Sequence, residues 1–289
     1  MLNSNELGEK FFNYQNTQRP QQVTQTNDEL ITYDSFGNIL STSAYSINWN
    51  SFNKVNTIKT NMSSTITFQY GPDRERVSKL TNTSTTSTLI HFVNNVYEKW
   101  TQKINGSTTK VTEKYYIKVL NKIIATQIVT NSVGNLFYFY LDAFGSVDTV
   151  NDASGNLLIK YNYTTFGHRQ IVYSNKSSSA MLDFFNLGFS LNEIIGDERL
   201  VYFDGRIYDS VLSRFISPDP YIKDLYNTQS LNRYSYCLNN PFKYHDPSGL
   251  SFWDWFEAIV TVVFSIVAIA LVTIATDGSN NFFIVLVND

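Results

Sequence analysis

The chain has 289 residues, of which 43% are hydrophobic and 15% aromatic, so it can bury a sizeable core and global disorder is excluded. Its 22 basic and 25 acidic side chains give a formal charge of −3, and no basic block marks a surface for nucleic acid, which is therefore not an expected partner. Because Cys237 is the single cysteine, an internal disulfide framework is excluded. The three histidines are scattered, which argues against a metal site, and no cofactor motif is present.

The N-terminal residues lack the basic segment and the apolar segment that a secretory signal peptide requires. Any export of the chain is therefore expected to follow another route.

From about residue 28 to residue 215, short β-type runs alternate with clusters of Gly, Asn, Asp and Ser. In one run, apolar residues take every second position, which places Ile66, Phe68 and Tyr70 on one face of a half-buried strand. Four further runs rich in β-branched and aromatic residues predict strands at 115–119, 123–129, 136–141 and 157–163. Tight turns are predicted at Gly37-Asn38, Gly134-Asn135, Gly155-Asn156 and Asp204-Gly205. The pattern indicates a meander of hairpins.

The turns repeat a loose pattern of an aromatic or apolar residue, Asp, two residues and Gly. The clearest copy is Tyr33-Asp34-Ser35-Phe36-Gly37-Asn38, and weaker copies begin at Leu141, Asp152 and Tyr163. In such a turn the Asp carboxylate folds onto backbone amides and Gly supplies the left-handed residue. Repetition of one hairpin unit predicts a structure built by stacking neighbours, although unrelated hairpins would produce similar turns.

The first turn resembles the YD repeat of RHS proteins, and the resemblance grows stronger along the chain. Segments similar to the RHS repeat-associated core are Tyr138–Gly167, Tyr202-Phe203-Asp204-Gly205-Arg206-Ile207-Tyr208-Asp209, Arg214-Phe215-Ile216-Ser217-Pro218-Asp219-Pro220, Ser230–Tyr236, Asn239-Asn240-Pro241 and Asp246-Pro247-Ser248-Gly249-Leu250. Together the motifs span roughly residues 28 to 250 in the order that the family shows.

This resemblance implies an all-β fold in which a YD-repeat meander forms part of a β-shell. Three regions are expected: terminal YD-type repeats over 1–135, the repeat-associated core over 136–250, and a variable tail over 251–289. The upstream repeats are too few for a whole shell, so other RHS shell segments are expected as partners.

The resemblance also implies self-cleavage after the last motif, between Leu250 and Ser251, by an aspartyl mechanism. The two acidic positions of the family correspond to Asp219 and Asp246, with Arg214 as a candidate supporting charge. Two carboxylates within reach of each other share a proton, so one activates water while the other protonates the carbonyl. The chain departs from many relatives at Pro218, where they carry a basic residue, and at Ser213, where Gly is common.

Other interpretations of these residues stay open. Asp-Pro begins many type I turns, and Asp246–Gly249 fits such a turn without any catalysis. Arg214 is equally suited to packing. Cys237 with His245 as its base is a weaker alternative, because a lone cysteine in an aromatic run is usually a small buried hydrophobe.

The composition changes after Leu250. Residues 258–276 carry no charge and are just long enough to span a bilayer as a helix, with Trp253 and Trp255 before them. The sequence therefore predicts one apolar C-terminal helix that inserts into a membrane, and the alternative is a helix folded back into the apolar interior of the shell.

The leading functional expectation is the closing segment of a bacterial RHS shell that encapsulates a C-terminal effector and cleaves itself. An immunity protein and a secretion apparatus would be its partners, and it would be secreted or displayed at the cell surface. The alternative is a non-cleaving, membrane-anchored surface fragment with a structural or adhesive role.

Overall fold

The computed structural model describes residues 11–119, 122–175, 184–196, 198–222, 226–246, 249–250 and 253–254. Regular structure in these residues consists of β-strands and three single 3-10 turns, at Phe189–Leu191, Thr228–Leu231 and Cys237–Asn239. The all-β prediction is confirmed for this part of the chain, whereas the predicted helix at 258–276 lies outside it.

One long antiparallel sheet dominates the fold. Among the described residues it has fourteen strands, each paired with its neighbour in sequence. The strands are β3 (Thr32–Tyr33), β4 (Ile39–Ser41), β5 (Tyr45–Trp49), β6 (Val55–Thr60), β7 (Thr65–Tyr70), β8 (Arg76–Asn82), β9 (Thr86–Val93), β10 (Tyr97–Ile104), β11 (Ser107–Val119), β12 (Lys122–Thr130), β13 (Val133–Leu141), β14 (Val147–Asp152), β15 (Leu157–Tyr163) and β16 (Arg169–Ser174). The predicted hairpin meander is therefore confirmed.

Smaller sheets accompany the meander. A two-stranded sheet joins β1 (Phe12–Asn13) to β2 (Gln25–Thr26), and a four-stranded sheet follows the order β17 (Glu193–Ile195), β18 (Leu200–Tyr202), β19 (Ile207–Asp209) and β20 (Arg214–Phe215). Another pair joins β21 (Tyr244–His245) to β22 (Trp253–Asp254). Strands β17 to β20 belong to the segment for which the sequence predicts the repeat-associated core.

The alternation of apolar residues sets which face of the meander is buried. In β7, Ile66 and Phe68 are fully buried as the spacing predicts, and they share one hydrophobic cluster with Leu200 and Ile207 of the four-stranded sheet. Another cluster contains five buried aromatic residues, Phe189, Phe203, Tyr208, Phe215 and Tyr236, together with Ile194, Val201 and Cys237. The core segment is thus packed against the early repeats rather than hanging from the end of the sheet.

The repeated turn is a real structural unit. The carboxylate of Asp34 accepts hydrogen bonds from the amides of Phe36 at 2.9 Å and Asn38 at 2.8 Å, and Asp142 and Asp152 accept the equivalent bonds at 2.8 and 2.9 Å. Each Asp is followed three residues later by a Gly with positive φ. The weak copy at Tyr163 uses Thr164, whose hydroxyl accepts from the amide of His168 at 3.1 Å.

One predicted turn is wrong. Gly134 and Asn135 lie inside β13. The turn is formed by the two residues before that strand, Asn131 and Ser132, whose φ angles are 50° and 66°. Both central residues of such a two-residue hairpin need positive φ, which asparagine tolerates well. The sheet also continues across the predicted boundary at 135/136, because β13 pairs with β12 and β14.

Within the described part of the chain, no helix is long and apolar enough to cross a membrane.

Candidate active site

Asp219 and Asp246 line one small cavity together with Arg206. Asp219 follows β20 in the Ser-Pro-Asp-Pro segment, and Asp246 directly follows β21. Both residues are buried, with 7% and 3% of their surface exposed. The cavity has a volume of about 30 Å³, which is enough for one or two water molecules.

Arg206 links the parts of this site through one guanidinium group. Its Nη2 pairs with Oδ2 of Asp219 at 3.0 Å, its Nη1 donates to the carbonyl oxygen of Arg233 at 3.0 Å, and its Nε donates to the carbonyl oxygen of Gly249. The guanidinium carbon lies 3.6 Å from the centre of the Phe215 ring. Burial lowers the pKa of Arg206 to about 10, while the charges of Asp219 and Asp246 oppose that shift, so the group stays cationic at neutral pH.

Short hydrogen-bonded loops hold both aspartates. Oδ1 of Asp219 accepts from the amide of Tyr221 at 2.9 Å, and the amide of Asp219 donates to the carbonyl oxygen of Arg233 at 2.8 Å. Oδ1 of Asp246 accepts from the amide of Gly249 at 2.9 Å. The turn that the Asp-Pro sequences suggest therefore coexists with the shared cavity, and a turn role does not remove the carboxylates from it.

The residues before the predicted cleavage position lie beside these groups. The amide of Gly249 is bound by Asp246 and its carbonyl oxygen by Arg206, and Leu250 packs over Gly205. Ser251 lies outside the described residues. The described half of the predicted cleavage site is thus fixed next to the two aspartates.

Arg214, the candidate supporting charge for the aspartates, contacts the N-terminal segment of the chain. Its Nη2 donates to the hydroxyl of Tyr14 at 3.0 Å, its Nη1 donates to the carbonyl oxygen of Gln21 at 3.5 Å, and its guanidinium carbon lies 5.3 Å from the Phe12 ring centre. These contacts hold the N-terminal segment against β20. The cation paired with the carboxylate of Asp219 is Arg206, which lies in the Tyr202–Asp209 motif. The Nε of Arg233 donates to the carbonyl oxygen of Asp219 at 2.5 Å.

Cys237 also lines the cavity and belongs to the aromatic cluster that contains Tyr208 and Tyr236. Its burial agrees with a small apolar residue at the edge of the site. The side chain of His245, the base proposed for it, lies outside the described part of the chain.

No family model matches the chain. Among curated proteins it is similar to the tRNA3(Ser)-specific nuclease WapA of Bacillus spizizenii, with 26% identity over 240 residues, and to the tRNA nuclease WapA of Bacillus subtilis strain 168, with 24% identity over 240 residues. Each match covers 81% of this chain and 10% of the relative, so the chain spans about a tenth of the length of these nucleases.

Solved structures show the same fold. The TcdB2-TccC3 structure matches with a TM-score of 0.68 and 18% identity, covering 83% of this chain and 14% of that one. The Photorhabdus luminescens Tc holotoxin pore, which carries an aspartate-to-alanine substitution in TccC3, matches with a TM-score of 0.66 and 18% identity over 75% of this chain and 10% of that one.

The ordered repeat and core motifs, the sequence similarity to the WapA nucleases and the fold shared with TcdB2-TccC3 together support the resemblance of this chain to RHS/YD-repeat proteins.

Proposed function

We propose that this chain is the closing segment of a bacterial RHS shell that encapsulates a C-terminal effector and cleaves itself between Leu250 and Ser251. The observation that carries the proposal is the buried cavity, large enough for water, that Asp219, Asp246 and Arg206 line next to the bound Gly249. Carboxylates that share a small cavity with a cation and a water molecule are suited to acid–base hydrolysis of a neighbouring peptide bond.

The reaction would proceed by hydrolysis. Asp219, which is paired with Arg206, would take a proton from water as the water oxygen bonds to the carbonyl carbon of Leu250. Asp246 would give its proton to the carbonyl oxygen of Leu250, which completes a tetrahedral diol. As the carbon–nitrogen bond breaks, Asp219 would pass the proton it took from water to the nitrogen of Ser251, and Asp246 would take a proton back from the diol. The products are a carboxylic acid at Leu250 and an amine at Ser251, and both aspartates return to their starting states.

Two findings support the shell and toxin context. The curated relatives are tRNA nucleases by name, each far longer than this chain, and one of the solved TcdB2-TccC3 structures lacks the hypervariable C-terminal region of that assembly. By this likeness the chain would act with other shell segments in a secreted or surface-exposed assembly, with an immunity protein and a secretion apparatus as further partners.

Intact mass spectrometry of the purified full chain tests the cleavage. We expect the wild type to separate at Leu250-Ser251, and Asp219→Asn and Asp246→Asn to stay whole, because each variant leaves the pair without one of its two acid–base groups. Asp73→Asn, an exposed aspartate in a turn, is the matched control and should cleave like the wild type. A wild type that stays whole, or cleavage that persists in both site variants, would contradict the proposal.

The alternative function is a non-cleaving surface fragment held in a membrane by residues 258–276. The nineteen consecutive residues without charge favour it. Membrane fractionation separates the two functions, because a cleaved shell would leave the membrane fraction while its tail stays, and an uncleaved anchored chain would remain there whole.

A further inference from the structure

Leu250 lies directly over the backbone of Gly205. A Cβ atom built at position 205 would be 2.4 Å from Cγ of Leu250 and 2.9 and 3.0 Å from its two Cδ atoms. Such distances are far inside van der Waals contact, so any side chain at position 205 displaces Leu250. Only glycine at this position leaves room for leucine where it now sits.

The preceding residue is fitted in the same way. Gly249 has a φ of +73°, and a Cβ there would lie 2.7 Å from Cβ of Phe203 and 3.3 Å from Cε1 of Phe215. Both polar backbone atoms of Gly249 are engaged, the amide by Asp246 and the carbonyl oxygen by Arg206. The segment therefore accepts no side chain at 249 and holds the backbone in one direction.

We propose that the loop from Phe203 to Arg206 is the recognition subsite for the Gly-Leu pair before the cleaved bond, and that Gly205 sets the size of side chain accepted at position 250. The occupant is this chain's own peptide segment. The proposal rests on the proposed self-cleavage, since it assigns to Gly205 and Arg206 the task of aligning Leu250 with the aspartates. Gly205 acts by position and touches no reacting atom.

Timed cell-free synthesis, with the cleaved fraction measured by intact mass, tests the subsite. Gly205→Ala should slow cleavage roughly tenfold to hundredfold, because a displacement of about 1 Å misaligns the reacting carbonyl. In a chain that also carries Leu250→Ala, the clashing atoms are gone, and Gly205→Ala should then change the rate by less than about twofold relative to Leu250→Ala alone. Equal slowing in both backgrounds, or none in either, would overturn the subsite.

Leu250→Phe tests the same contact without altering the packed loop. We expect cleavage to slow by at least about tenfold while the melting temperature stays that of the wild type. An unchanged cleavage rate would refute the size limit even if Gly205→Ala fails to fold.

A second measurement does not depend on cleavage. In an Asp219→Asn chain, Gly205→Ala should speed hydrogen exchange at the amide of Gly249, which Asp246 binds, and Leu250→Ala should reverse that effect. Unaltered exchange would refute the displacement of the segment. A wild type that never cleaves would refute the proposed function and the subsite with it, whereas a cleaving chain indifferent to Gly205→Ala would refute the subsite alone.

Discussion

Arg206 binds three separate parts of the candidate site. Its guanidinium pairs with the carboxylate of Asp219 and donates to the carbonyl oxygens of Arg233 and Gly249. These contacts use the planar fork of a guanidinium, which an ammonium group on a flexible stem cannot reproduce. The geometry of this one side chain therefore matters as much as its charge.

Arg206→Lys should abolish most cleavage and lower the free energy of unfolding by about 2 to 4 kcal/mol, because it leaves buried acceptors unpaired. Intact mass and denaturant titration measure the two effects. The matched control is Arg169→Lys, which breaks an equally buried fork to Glu198 and the carbonyl oxygens of Phe185 and Leu187, away from the cavity. It should cost similar stability and leave cleavage unchanged; loss of cleavage in both variants would assign the effect to folding.

Glu193 is a second buried charge, paired with Arg76 and Lys79 and bonded to Nδ2 of Asn186 at 3.2 Å. Burial alone would raise its pKa, but the two cations outweigh burial and lower the pKa from a usual 4.5 to about 2. A pKa lowered by folding gives stability that is present above the unfolded value and is lost as pH falls through the folded one. The stability that Glu193 gains from Arg76 and Lys79 should therefore be lost as the pH falls from about 4.5 to about 2.

Glu193→Gln should lower the free energy of unfolding by about 3 kcal/mol at neutral pH, and the gap to the wild type should close as pH falls through that window. Denaturant midpoints at a series of pH values measure it. Asp148→Asn, which breaks the exposed pair with Lys160, should cost less than about 1 kcal/mol. A gap for Glu193→Gln that stays constant down to about pH 2 would contradict the assigned ion pairs.

Among the elements, the repeated Asp turn joins the meander to the core segment. The turn of Asp34 ends at Gly37, whose carbonyl oxygen accepts from the hydroxyl of Tyr234 at 2.7 Å. The equivalent turn of Asp152 ends at Gly155. A Cβ atom added to Gly155 would meet no other atom within 4 Å. The same local unit is therefore a docking element in one copy and a free surface turn in another.

Two substitutions separate the turn from its docking. Gly37 and Gly155 have φ angles of +92° and +84°, so Ala should cost each turn about 1 to 2 kcal/mol in backbone strain. Gly37→Ala should cost about 1 to 3 kcal/mol more, because its Cβ would lie 2.6 Å from Oη of Tyr234. Thermal unfolding of both variants measures the difference, and equal losses would show that the turn does not bear on Tyr234.

Local chemistry explains how far the sequence could predict these elements. The turn of Asp34 depends on amides two and four residues away, so its motif predicts it. The sequence predicts a turn at Gly134-Asn135, whereas the structure forms it at Asn131-Ser132. Both dipeptides contain a residue that tolerates positive φ, so the sequence does not distinguish them. Arg206 binds partners 27 and 43 positions away, and no local pattern announces that. For the same reason the sequence could name Asp219 and Asp246 but could not place them in one cavity.

In the molecule as a whole, Arg199 clasps the N-terminal segment to the core. Its Nη1 and Nη2 bind the two carboxylate oxygens of Glu29 at 2.6 and 2.8 Å, and its Nε binds Oδ2 of Asp209 at 2.7 Å. The same Asp209 oxygen accepts from the hydroxyl of Tyr45 at 2.7 Å. Burial raises the pKa of Asp209, and the charge of Arg199 together with the hydrogen bonds of Leu212, Tyr45 and Arg199 opposes that shift.

Arg199→Met should lower the free energy of unfolding by about 3 to 5 kcal/mol, because it strands the charges of Glu29 and Asp209. It should also make the β17–β20 segment more sensitive to limited proteolysis. Arg74→Met, at an exposed arginine, is the control and should change neither property measurably. A variant as stable and as resistant as the wild type would contradict the clasp.

The contacts between the first repeats and the core also set an order of events in time. Gln22 and Gly37 bond to Tyr234 across 212 and 197 positions, and Tyr14 bonds to Arg214 across 200. The meander can form hairpin by hairpin as the chain leaves the ribosome. The distant pairs can form only after Arg214 and Tyr234 have been synthesised. Arg233 and Ser235, the neighbours of Tyr234, line the cavity of Asp219 and Asp246, and the amide of Arg233 donates to Oε1 of Gln21 at 3.4 Å. We therefore expect a newborn chain to close these distant contacts before it is able to cut.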